Sequence, residues 1–177
     1  IVHLVPLGVD LGLKPATAAG LLSTLMVSAV CGRLCFGLLA DRTGALFTYF
    51  AASLIQTSTV FWFTQTESLF ALYVISVIFG FGFAGVMTSL LICAREAAPL
   101  RITGFAIAAV STTGWIGMGI GSYQAGYFFD VTGDYTLSYG TAAIAGVINL
   151  SIVASLGWFR LNRTGALRVG HHLAQAS

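Results

Sequence analysis

The sequence predicts an all-α protein that crosses a membrane several times, and three observations carry that reading. Hydrophobic residues make up 57% of the chain and charged residues only 8%, against roughly 25% charged in a soluble domain. So few charges cannot clothe the surface of a water-soluble fold of 177 residues, because too little polar surface is left to face water. The apolar residues also gather into five long stretches, each able to supply the ~20 residues that a helix needs to cross the hydrocarbon. Finally, the 21 glycines are nearly twice the usual share, which suits helices packed closely in lipid.

The five stretches are Thr17–Ala40, Ala45–Gln65, Leu69–Ala94, Ile102–Phe128 and Thr136–Phe159. Four carry no charge, and the first carries only Arg33. The opening Ile1–Gly8 is apolar but too short to span, and reads as the outer end of a sixth helix that starts earlier. It has neither a basic leader nor a small-residue cleavage site of the secretory kind. The breaks carry turn chemistry: Asp41–Gly44, Thr66–Ser68, Arg95–Arg101 and Asp130–Asp134 are short, polar and rich in Gly, Pro or acids. None is long enough for a soluble domain. The expected organisation is one membrane unit over residues 1–160 and a tail over residues 161–177.

Orientation follows from the basic residues. Five crossings place Arg42, Arg95, Arg101, Arg160, Arg163 and Arg168 on one side, and Arg33 nearest to it, leaving Lys14 alone opposite. The positive-inside rule makes the arginine side cytoplasmic, with the C-terminus inside, and an inner or plasma membrane is the expected location.

Function classes narrow as well. An intramembrane protease needs a histidine on a second helix or paired metal ligands, whereas the histidines are His3, His171 and His172. No enzyme activity, cofactor or nucleic-acid partner is expected. Cys31, Cys35 and Cys93 all fall in apolar runs. Cys31 and Cys35 share a helix face, but nothing completes a metal pattern, so all three read as small buried apolar residues. Six helices ending in the cytoplasm match the layout of one half of many secondary transporters.

The spacing Gly32-Arg33-x3-Gly37-x3-Asp41-Arg42-x-Gly44 resembles the loop signature of the major facilitator superfamily, in the copy between its eighth and ninth helices. Gly126-Tyr-Phe-Phe-Asp130-x-Thr-Gly133-x-Tyr135 is similar to the family's ending of helix eleven. The resemblance covers the whole chain and implies the second six-helix half of such a transporter, its first helix truncated. It also implies partners: the N-terminal six-helix half and the lipid bilayer. Within the family the start resembles the monocarboxylate-transporter-like and oxalate/formate-antiporter-like branches, on His3-Leu-Val-Pro6, Asp10-Leu-Gly12, Ala18-Ala19 and Arg33 four residues before Gly37. In those branches the helix-eight arginine binds the substrate carboxylate, so the resemblance implies a small organic anion for Arg33, with a coupling proton or counter-anion. Three departures stand out. Ala29 replaces the acid that some members carry, no lysine lies between Ile102 and Phe128, and Ser122 stands where a proline is common.

The physics of the candidates stands beside that resemblance. Arg33 is eight residues from Asp41, about 12 Å along a helix, and a charge so deep usually faces a water-filled path. Its planar fork fits a carboxylate with two parallel hydrogen bonds. The competing reading is an arginine that snorkels to the interface. Asp41 can accept from free N–H groups at a neighbouring helix N-terminus. Gly37 removes a side chain where a helix must approach, and Gly44 permits a sharp turn; the bland reading is a solvated turn. His3 could hydrogen-bond an anion or carry a proton. Ser111 and Trp115, on one stripe with Met118 and Ser122, are candidate cavity-lining residues, although such a stripe is more often packing. A drug or neutral metabolite as cargo, or a non-transporting sensor, are the alternative functions.

Overall fold

A computed structural model describes residues 4–66, 68–133 and 135–175, with side chains as far as Phe159 apart from Thr64. The described chain is all helix and turn: α1 (Leu4–Asp10), α2 (Pro15–Thr43), α3 (Ala45–Val60), α4 (Leu69–Ala97), α5 (Thr103–Thr132) and α6 (Thr136–Gln175). Short 3-10 turns at Phe61–Thr64 and Leu100–Ile102 complete it. Five helical segments are long and apolar enough to cross a membrane. This is an integral membrane bundle, with α1 too short to span.

The helix ends follow local chemistry. Lys14 is extended and Pro15 opens α2, where a missing N–H costs nothing. Gly44 ends α2 at φ +89°, its N–H donating to the Ala40 carbonyl, and α3 starts at the next residue. Ala98 is extended, as a residue before proline must be. Gly133 closes α5 in the left-handed region and donates to the Phe129 carbonyl.

The turns prove shorter than the sequence suggests. Asp41, Arg42 and Thr43 still belong to α2, and Asp130, Val131 and Thr132 to α5. Polar residues at a membrane edge can stay helical; only the glycine with positive φ has to leave. The third break likewise shrinks to Ala98 and Pro99 before a 3-10 turn. At the other end of α3 the last residues tighten into a 3-10 turn, which brings Phe63 into the core at 2% exposure. Helix α6 runs past residue 160 to Gln175 without a break.

Helix α4 is the axis of packing, against α2 on one side and α3 on the other. A Cβ on Gly80 would strike the Leu25 carbonyl, and one on Gly32 would lie 2.5 Å from the Phe81 carbonyl oxygen. The α2 and α4 backbones therefore touch at two levels. Ser28 donates to the Val77 carbonyl at 2.6 Å, and Tyr73 to the Thr17 carbonyl at 3.3 Å. Such interhelical bonds average ~0.6 kcal/mol each in a membrane protein. A second seam joins α3 to α6. Tyr49 donates to Asn149 Oδ1 at 3.0 Å, and Asn149 Nδ2 donates to Ser53 Oγ at 3.2 Å. The glycine at 146 admits the Thr57 side chain beside that bridge.

Candidate functional site

Seven α2 residues face its neighbours: Ala18, Leu21, Leu25, Ala29, Gly32, Phe36 and Ala40 are buried. The three- and four-residue steps between them define one stripe, and Arg33 lies just off it, exposed. Arg33, Gly37 and Asp41 step by four, so they line one flank of α2, with Asp41 about 80° round from Arg33. Arg42 lies about half a turn away. Asp41 and Arg42 are exposed, and nothing stands within 4 Å of where a Gly37 Cβ would sit. Among the described residues no side chain bonds to Arg33 or Asp41. The flank therefore offers a free guanidinium, a notch and a free carboxylate in order toward the arginine end of the bundle.

The turn that carries Asp41 is tied down. Thr43 donates to the Leu39 carbonyl at 2.9 Å, and its hydroxyl oxygen lies 3.2 Å from that of Thr48. Thr48, fully buried, donates to the Gly44 carbonyl at 2.9 Å. These threonines fix the geometry of the loop signature, and the sequence reading overlooked them. Their signal was present: Thr-Gly followed four residues later by Thr.

A cavity of about 270 Å³ opens inside the bundle and touches all six helices. Leu4, Leu25, Phe63, Phe79, Phe83 and Met118 give it an apolar wall, while Gln56, Thr57, Ser122, Ser138 and Tyr139 supply polar atoms. Phe63 meets Phe79 edge to face at 5.6 Å and Tyr139 at 5.9 Å. No lining residue carries a formal charge at neutral pH. Arg33, Ser111 and Trp115 are not among its lining residues. From the α5 stripe it is Met118 and Ser122 that reach the wall, whereas Ser111 is half-buried and Trp115 is 70% exposed. His3 lies outside the described residues.

Two polar residues that the sequence analysis does not single out take up defined places inside the bundle. Gln56 lines the cavity, and Asn149 bridges α3 and α6. Gln56 is the lone carboxamide of α3 and Asn149 that of the span Thr136–Phe159, and an amide in lipid seeks a partner. The cysteine reading also needs correction: Cys31 and Cys35 are exposed and Cys93 is half-buried. Both α2 cysteines fall off the buried stripe, which an apolar run cannot reveal.

At the opposite end, Tyr135 is buried and stacks on Phe129 at 4.5 Å. Burial, reinforced by the negative charges of Asp10 and Asp130, holds its phenol above the ordinary tyrosine range. Tyr135 thus stays neutral at physiological pH. The family model described as Major Facilitator Superfamily matches residues 1–172 of this chain.

Proposed function

The chain belongs to the major facilitator superfamily, and on that premise we propose that it forms one half of a secondary transporter for a small, monocarboxylate-like organic anion. The single observation that carries the reading is Arg33, an exposed cation with no side-chain partner among the described residues, on the stretch of α2 from Thr17 to Ala40 that is otherwise uncharged. Alternating access needs a group that grips the cargo and a contact that breaks between states. Arg33 grips the carboxylate with its planar fork. Asp41, at the membrane edge beyond Gly37, latches a helix N-terminus of the other half. His3, Ser111 and Trp115 are the further substrate contacts of this reading, and a proton or counter-anion drives the cycle. The arginine end and the C-terminus lie in the cytoplasm, in keeping with the basic residues. The chain acts as a carrier and not as an enzyme.

The internal cavity favours a second reading. Its wall is uncharged, which suits a neutral cargo better than an anion. One titration separates the two. In the full-length protein, a labelled monocarboxylate should bind the parent and lose at least ~100-fold in affinity in Arg33→Gln, because two charge-assisted hydrogen bonds of about 1.5–3 kcal/mol each disappear. Arg33→Lys keeps the charge without the fork and should bind at an intermediate level. Asp41→Asn should bind like the parent yet turn over at a different rate. Unchanged carboxylate binding by Arg33→Gln would sink the anion reading, and binding only of neutral solutes would favour the cavity.

A further inference from the structure

Cys31 and Cys35 stand on the uncovered side of α2, both exposed. Four residues apart on a helix, their Cβ atoms lie about 5–6 Å from one another on one face. The residue after each is pinned to α4. Gly32 sits against the Phe81 backbone, and Phe36 fills the notch left by Gly85. The helix between the two thiols is therefore held at regular spacing by the seam behind it. A direct disulfide wants its Cβ atoms about 3.5–4.5 Å apart, so closing one would have to bend a helix clamped at two levels. A single soft atom bound to both sulfurs spans the wider gap. Among the described residues no third Cys, His, Asp or Glu gathers with them into a metal-holding group.

We propose that Cys31 and Cys35 form a two-thiol site for trivalent arsenicals of the form R–As=O. Both sulfurs bond to arsenic, the arsenic–oxygen bond is lost, and the two thiol protons leave with that oxygen as one water molecule. Arsenic keeps its R group and its oxidation state, so neither an oxidant nor a reductant is needed. The adduct is neutral, which fits a flank whose other exposed members include Val27, Leu34 and Leu38. A metal ion would instead need further ligands, and among the described residues none gathers with these two thiols. The site is independent of the anion reading, since Arg33 lies about 160° round the helix from each cysteine.

Phenylarsine oxide is the probe. The purified, reduced chain in detergent should take up one arsenic that survives excess 2-mercaptoethanol and is removed by 2,3-dimercaptopropanol, as read by intact mass. Cys31→Ser, Cys35→Ser and their alanine counterparts should each lose the monothiol-resistant adduct, while Cys93→Ser keeps it. Dibromobimane, which fluoresces on bridging two thiols, should light up the parent and Cys93→Ser alone. Stripping of the parent adduct by monothiol would overturn the proposal. So would a resistant adduct that persists without Cys31 or Cys35.

Discussion

Helices α4 and α5 are 29 and 30 residues long, apolar over most of their length and rich in glycine, yet they live in different surroundings. The most apolar stretch of α4 is 44% buried and that of α5 is 0% buried. Gly80, Gly82 and Gly85 of α4 each meet a neighbour that a Cβ would strike, whereas Gly114, Gly117, Gly119 and Gly121 of α5 meet nothing within 4 Å. The difference lies in partners, not composition. Glycine in an apolar span grants permission for close approach, and only the assembled fold says whether it is used.

The largest expected effect breaks that contrast directly. Gly80→Ala drives a methyl group into the Leu25 carbonyl, where backbone and not a flexible side chain has to yield. Overpacking of this kind costs about 1–3 kcal/mol, and the rigid α2–α4 seam puts it at the upper end. Gly117→Ala meets open space and gains up to ~1 kcal/mol of helix propensity. Unfolding in detergent should thus show changes of opposite sign. Equal destabilisation by both variants would mean that α5 packs as tightly as α4.

That contrast also marks how far the sequence can be read. The five spans were legible because the bilayer demands length and apolarity, and both are local properties. The arginine was legible because a lone charge in lipid is costly wherever it points. Which side of α2 it occupies was not legible. The residues from Leu21 to Ala40 are apolar all round apart from Arg33 and a few small polar groups, so no period singles out the buried stripe, and the exposure of Cys31 and Cys35 was lost with it. Gln56 and Asn149 escaped for a related reason. A lone amide announces that it needs a partner, but not which helix supplies one.

A smaller effect sharpens the comparison at the two seams of α6. Asn149 joins α6 to α3 with two side-chain hydrogen bonds, and Gln124 joins α5 to α6 with one, donating to Thr141 Oγ1 at 2.9 Å. At ~0.6 kcal/mol per bond, with single values reaching about 1.7, Asn149→Leu should cost more than Gln124→Leu. Leucine keeps a side chain at each position while removing its polar atoms. A reversed order in thermal unfolding would place the weight of α6 on α5 instead.

The smallest expected effect concerns two serines of α4, both fully buried. Ser89 donates to the Gly85 carbonyl at 2.6 Å, so Ser89→Ala removes a satisfied hydroxyl and should cost about 0.5–1 kcal/mol. Among the described residues Ser76 Oγ has no hydrogen-bond partner. A buried hydroxyl left unpaired carries its desolvation penalty of about 1–3 kcal/mol without return, while deleting one oxygen leaves a hole smaller than a methyl group. The second term offsets only part of the first, because Leu72 and Phe79, one turn to either side, are large residues of the same buried face. Ser76→Ala should therefore unfold at the same temperature as the parent or slightly above it, opposite in sign to Ser89→Ala. A loss of stability at Ser76 as large as that at Ser89 would show that its hydroxyl is engaged, by a buried water or by a helix that the described residues do not include.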